Sequence, residues 1–435
     1  MASARPPAVE TVDAEPAAET TRTLRTFDSL IEVRAFRWFV ISMTGNWAAL
    51  QMQQVVRGFL VYHLTGSYTA LGSMALANSA PRLVLALYGG VIADRMPKRY
   101  IIQVGQLFNA ALVLAVGLLL AFDLLRFEHL IVSAILQGIS NSFTQPARQA
   151  MIPEIVGLER LTNAVALNAS GMNTMRLLAP AIGGVLLAFV GFEWVYFLMA
   201  GMYLFAVVTM LRVPAEPIAG MELRPSRRAQ RSRGGLTDIA EAFRYLRLQP
   251  TLSMLLVVHL FIVVFSMPYQ RLLPGFVADV LASTEEETAL RLGLLLTLTG
   301  IGALFGSLVV ASIPSRRRGQ LLLLGTVVMG ASLLAFSVST VFWASAAIAV
   351  ALGVGQASRQ ALSTVLIQSH VSNEYRGRIS SVMMMEMGLT SFGTFGFGIL
   401  ASVVGIQVAL GAAAVALLIV AAAVFLFVPR YRDLD

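Results

Sequence analysis

From Phe36 onward the chain alternates long apolar stretches with short polar connections. The apolar stretches fall at about 36–62, 68–93, 100–122, 129–151, 160–190, 193–211, 251–278, 289–312, 320–339, 342–370, 379–404 and 407–428. Each is close to, or longer than, the roughly 20 residues a helix needs to cross the hydrocarbon layer of a bilayer. The pattern predicts an all-α polytopic membrane protein of twelve transmembrane helices, with both termini on one side. Polar positions inside the stretches recur at helical spacing. In the fourth stretch Gln137, Asn141, Gln145 and Arg148 follow i, i+4, i+8 and i+11 on one face. The first stretch offers Asn46, Gln53 and Arg57, the second Asn78 and Arg82, and the tenth Gln356, Gln360 and Ser363. Lipid would penalise such stripes, so they are expected to face a central cavity, or else to pair individually with neighbouring helices.

The connections divide the chain further. Residues 1–35 are rich in Ala, Pro, Glu and Thr and lack the pattern of a cleaved signal peptide, which predicts a disordered cytoplasmic tail. The stretches within 36–211 form a first group of six, and those within 251–428 a second, followed by a short tail at 429–435. Between the groups, 212–250 reads as a basic linker. In it Asp238-Ile-Ala-Glu241 resembles a capping box, and Ile239, Ala242, Phe243 and Leu246 predict an amphipathic helix that Pro250 stops.

Charge changes the picture in one respect. A net charge of +8 and a pI near 10.2 are compatible with nucleic-acid binding, but 13% charged and 57% hydrophobic residues are not those of a soluble domain. The basic residues are arginines except Lys98, and they concentrate in alternate connections: Arg95, Lys98, Arg99, Arg160, the Arg212 to Arg247 series, Arg316 to Arg318, Arg376 and Arg378. The other connections hold only Arg126 and Arg291, beside Asp123, Glu128, Glu193, Asp279 and Glu285 to Glu287. Arginine bias of this kind places a loop in the cytoplasm. It predicts cytoplasmic termini and removes nucleic acid as the explanation of the charge. With no cysteine and four scattered histidines, His63, His129, His259 and His370, no metal or other cofactor is expected.

Within the bilayer Arg57, Arg82, Arg148, Arg176, Arg271 and Arg359 stand against one well-embedded acid, Glu386. Ionisable groups there are costly and are functional candidates by default. Arg57 and Arg271 lie toward outer helix ends, where they either snorkel or line a cavity. Glu386, about eight residues into its stretch and so roughly 12 Å deep, either carries a proton or is paired by an arginine. The Met383 to Met387 segment is normal packing or an adaptable pocket wall.

Two further features make the organisation specific. A shift of the chain lays Gly138 on Gly353, Ile152 on Ile367, Val156 on Val371 and Glu159 on Glu374, an internal repeat of the two groups. The connection after the second stretch reads Gly89-Gly90-Val-Ile-Ala-Asp94-Arg95-Met-Pro-Lys98-Arg99. It resembles the signature of the major facilitator superfamily. Leu64 to Ser67, Pro81 to Leu83, Pro146 to Gln149, Arg176 to Gly184 and Arg376 to Arg378 resemble its drug-antiporter-like exporters, the enterobactin, macrolide and tetracycline efflux type.

The resemblance implies two pseudo-symmetric six-helix bundles with a substrate site between them near the midplane. It implies a monomeric, proton-coupled antiporter in a bacterial inner membrane, in contact with membrane lipids, exporting a small drug-like or siderophore-like molecule and conferring multidrug resistance. In the family the aspartate matching Asp94 latches the cytoplasmic side against the start of helix eleven, here near Arg378. Arg176, Pro180, Gly183 and Gly184 are similar to the antiporter signature of helix five, with Ala179 in place of its first glycine. Asn46 stands where some relatives carry an acid, so Glu386 and Asp94 are the proton candidates. The surplus of embedded arginines leans toward an anionic substrate. A lipid or lysolipid flippase of the same fold is the second reading, and a membrane-embedded enzyme or sensor the alternative from another class. No catalytic constellation supports an enzyme.

Overall fold

The structure, a computed structural model, describes residues 28–157, 159–215, 241, 244–312, 317–372, 375–432 and 434; side chains are described for these except at 28, 86–95, 311, 376–378, 380, 381, 384–387, 430 and 432. Helices occupy nearly all of it. In chain order they are α1 (Asp28–Glu32), α2 (Arg34–Thr65), α3 (Tyr68–Arg95), α4 (Lys98–Ala121), α5 (Phe127–Val156), α6 (Leu161–Met210), α7 (Pro250–Ser266), α8 (Pro268–Phe276), a π-helical turn (Val277–Leu281), α9 (Glu285–Ser312), α10 (Arg318–Val338), α11 (Phe342–Ser369), α12 (Arg376–Val404), α13 (Ile406–Phe427) and α14 (Pro429–Arg432).

The ends of these helices follow from backbone chemistry. Gly191, at φ 83° and ψ 173°, breaks α6 between the fifth and sixth apolar stretches. Gly405, at φ 87° and ψ 154°, separates α12 from α13 at the equivalent place in the second group. Positive φ is strained for any residue with a β-carbon, so both breaks sit at glycine. Among the described residues six segments, 98–121, 161–210, 250–281, 285–310, 318–338 and 406–427, are long and apolar enough to cross a membrane. The other long helices, α2, α3, α5, α11 and α12, include the ones that carry the polar stripes. Their polar residues lower their mean hydropathy but face protein, where hydrogen bonds offset the cost.

Equivalent helix pairs pack together in the two groups. In the first group α2 runs along α6, α3 along α5, and α4 against both α5 and α6; in the second, α9 runs along α11, and α10 against α11 and α13. A β-carbon at Gly138 would collide with the carbonyl oxygen of Asn78 on α3, and one at Gly353 with that of Thr299 on α9. The repeated glycines therefore bring equivalent helix pairs together. The groups meet along α3 with α12 and along α6 with α9. Large apolar side chains such as Phe189, Trp343, Val403 and Phe427 are more than three-quarters exposed, a surface suited to acyl chains rather than water.

The two tails and the linker are described in part, and the expectation of disorder up to residue 35 needs correction. The last part of the 1–35 tail is helical and docked: Ser29 and Ala35 are buried, the Ser29 amide donates to Asn163 Oδ1, and Glu32 pairs with Arg160 at 2.5 Å. The 429–435 tail also docks, because Tyr431 is buried and the Gly319 amide donates to the Leu434 carbonyl at 3.0 Å. Of the amphipathic helix only 244–248 is described; it is helical with Leu246 buried, while Ile239 and Phe243 lie outside the described residues.

Candidate functional site: an arginine-lined contact between the helix groups

Three helices of the first group join their polar stripes into one network. Arg57 Nη1 on α2 donates to Gln137 Oε1 on α5 at 2.9 Å, and Gln137 Nε2 donates to Gln53 Oε1 at 2.5 Å. Asn78 Nδ2 on α3 donates to the Ala134 carbonyl at 3.1 Å, and Arg82 Nη2 donates to Asn78 Oδ1 at 2.7 Å. Arg57 is 5% exposed and Gln137 2%, so of the two alternatives for Arg57 the side chain takes the inward one and does not snorkel. Its guanidinium turns inward because the Gln137 amide, itself held by Gln53, supplies an oxygen that water would otherwise provide. Arg148 turns back on its own helix, toward the Thr144 carbonyl at 3.3 Å and hydroxyl at 3.4 Å. Asn46 on α2 and Asn141 on α5 are also buried, while Gln145 at the end of the stripe is exposed.

The second group presents a different set. Gln356 Oε1 accepts from Tyr269 Oη and from Gln270 Nε2, both at 3.0 Å. Arg359 is 1% exposed, yet among the described residues its Nε and Nη1 have no hydrogen-bond partner. Gln360, Arg271 and, on the opposite group, Arg176 are exposed. The arginines are gathered by the fold into one electropositive region. Arg82 lies within electrostatic reach of Arg271, Arg57 and Arg148, Arg271 within reach of Arg57 and Arg176, and Arg359 within reach of Arg176. Among the described residues none of the six is in an ion pair; the pairs there are His63 with Glu285, Lys98 with Glu154, Arg160 with Glu32 and Arg291 with Glu287.

At one end of the bundle the two groups are clasped. Tyr62 Oη donates to Asp279 Oδ1 at 2.6 Å and Tyr68 Oη to Oδ2 at 2.7 Å. His63 meets Glu285 at 2.7 Å, and the Thr69 and Ser402 hydroxyls are 3.1 Å apart. Asp279 was expected in a connection, but the seventh segment continues helically through the π turn to Leu281 and carries Asp279 against the first group. No apolar pattern marks such an extension. Single π turns recur at functional sites.

The remaining candidates distribute as follows. Gly184 abuts Gly293 of α9, where a β-carbon would lie 2.8 Å from the Gly293 α-carbon, and Gly183 abuts Met52, with Pro180 buried beside them. Lys98 Nζ pairs with Glu154 Oε1 at 2.6 Å, a partner the sequence reading missed, and Arg99 lies 5.8 Å over the Tyr100 ring. Gly89, Gly90, Asp94 and Arg95 are on α3 and Glu386 on α12, but their side chains lie outside those described.

Comparison with known proteins agrees with this architecture. The family described as "Transmembrane secretion effector" matches residues 29–435. The chain is 24% identical over 374 residues to the staphyloferrin A transporter of Staphylococcus aureus, covering 83% of this chain and 87% of that protein. It is 24% identical over 352 residues to the enterobactin exporter EntS of Salmonella typhimurium, covering 80% and 81%. Among solved structures, an inward-facing bacterial homologue of the human lysosomal transporter Spinster superposes with a TM-score of 0.71 at 15% identity, over 92% of this chain and 98% of that one. The nucleoside transporter NupG does so with a TM-score of 0.71 at 10% identity, over 90% and 99%. A match over nearly the whole chain, with a shared fold, makes this protein a member of the transmembrane secretion effector family, major facilitator transporters of the exporter branch.

Proposed function

We propose that the protein exports a small organic anion, siderophore-like in character, from the cytoplasm of a bacterium by alternating access between two six-helix bundles. The gathering of six arginines from both groups, without an ion-paired partner among the described residues, carries this reading. Like charges within electrostatic reach of one another repel, and an anion bound between the groups would offset that repulsion. Relatives named for staphyloferrin A and enterobactin support a substrate of this kind.

Twelve crossings with cytoplasmic termini fit the arginine bias of the connections. On that topology the Asp279 clasp faces outward, and the Asp94 segment is the inner latch. Proton exchange would drive the cycle, with Glu386 as the carrier and Asp94 as the gate that senses it. The test is efflux from proteoliposomes across a panel of charged compounds, with and without a pH gradient. Gradient-driven transport of anionic compounds is expected. Preferential binding of cations such as ethidium, with no anionic ligand found, would overturn the substrate class.

A further inference from the structure

We infer that Arg359 and Ser363 on α11, with His259 on α7, enclose a binding site for a small anionic group, a carboxylate or a halide. Arg359 Nε and Nη1 and Ser363 Oγ are all buried without a hydrogen-bond partner among the described residues. The two residues are four apart on one helix, so their side chains share a face. Buried donors are almost always satisfied, and those that are not mark an occupant such as a water or an ion. Here charge selects between the two. Arg176 and His259 lie within electrostatic reach of Arg359, and among the described residues no acid pairs with it. A water would satisfy the hydrogen bonds but leave the two guanidinium charges uncompensated; an anion does both.

The first group shows what a self-contained arginine looks like in the same setting. The pattern Gln-x-x-Arg-Gln-Ala runs over 145–150 and again over 356–361, one helical turn from the register that lays Gly138 on Gly353. Arg148 closes onto the hydroxyl and carbonyl of Thr144, four residues before it. Four residues before Arg359 stands Gly355, packed against Met329 and without a side-chain oxygen to offer. Four residues after Arg148 is Ile152; four after Arg359 is Ser363. The second group has thus lost the acceptor that closes the arginine and gained a donor beside it, as an anion site requires.

The site deepens the export reading when the anion is a carboxylate of the transported molecule, and stands apart from it when the anion is free. Both are tested on the detergent-purified full chain by thermal unfolding, titrating sodium acetate or sodium chloride against sodium HEPES at constant ionic strength and pH. A saturable rise in Tm is expected in the wild type. Ser363→Ala removes one hydrogen bond to the anion and should raise the half-saturating concentration about tenfold; Arg359→Gln should abolish the effect. Should Arg359→Gln fail to fold, the Ser363→Ala titration still decides. Acetate that competes with an anionic substrate assigns the site to the substrate's carboxylate; binding without competition assigns it to a free anion. A wild-type Tm indifferent to acetate and chloride, or a response undiminished in Ser363→Ala, overturns the site, and does so whether or not the protein exports anything.

Discussion

Removing the Asp279 carboxylate should open the clasped end of the bundle. Two buried tyrosines, one ending α2 and one beginning α3, donate to it at 2.6 and 2.7 Å, so each bond is short and directed at a charge. Hydrogen bonds to charged groups contribute about 1.5–3 kcal/mol, but Asp279 is exposed to solvent, which reduces each to about 1 kcal/mol. Asp279→Ala therefore costs the clasped state about 2 kcal/mol, roughly a 30-fold shift in the equilibrium between clasped and open forms. The chain contains no cysteine, so spin labels placed at Ser67→Cys and Ser283→Cys report the separation of the two groups without background. Distance distributions in nanodiscs should gain or enlarge a longer-distance population in Asp279→Ala, and less so in Tyr62→Phe. An unchanged distribution in both variants would refute the clasp, because the hydrogen bonds would then be incidental to which state is populated.

Other outcomes follow from the same geometry. Gln137→Leu leaves the buried Arg57 guanidinium without its acceptor and should lower stability by about 2–3 kcal/mol, read as a fall in Tm in detergent; a change within 0.5 kcal/mol would mean that Arg57 finds another partner. Gly184→Val drives side-chain atoms into the backbone at Gly293 and Ala289 across the group contact. It should cost about 1–3 kcal/mol and impair switching more than expression, measured as transport per folded molecule. Glu386→Gln should uncouple transport from the pH gradient; gradient-driven efflux that survives in this variant would exclude Glu386 as the proton carrier.

Much of this architecture was legible without coordinates, because a bilayer constrains sequence harshly. A helix that meets lipid must be apolar for about 20 residues, so the stretches marked where the helices run. The arginine distribution separated the two kinds of connection, and the stripe of Gln137, Asn141 and Arg148 named one face of α5 before any partner was visible. The sequence could not show what those stripes meet. Arg57 was equally suited to snorkelling until Gln137, eighty residues away, was seen to accept a hydrogen bond from its guanidinium. Asp279 looked like a loop acid because hydrophobic periodicity is blind to a π turn that extends a helix past its last apolar residue. The difference between Arg148, closed on Thr144, and Arg359, open beside Gly355, was written in the letters but acquired meaning only with burial. Local pattern determines where a membrane helix runs, since each residue answers to the lipid independently. Which charge is satisfied and which awaits a partner is decided between helices distant in sequence, and only the packed bundle sets those contacts.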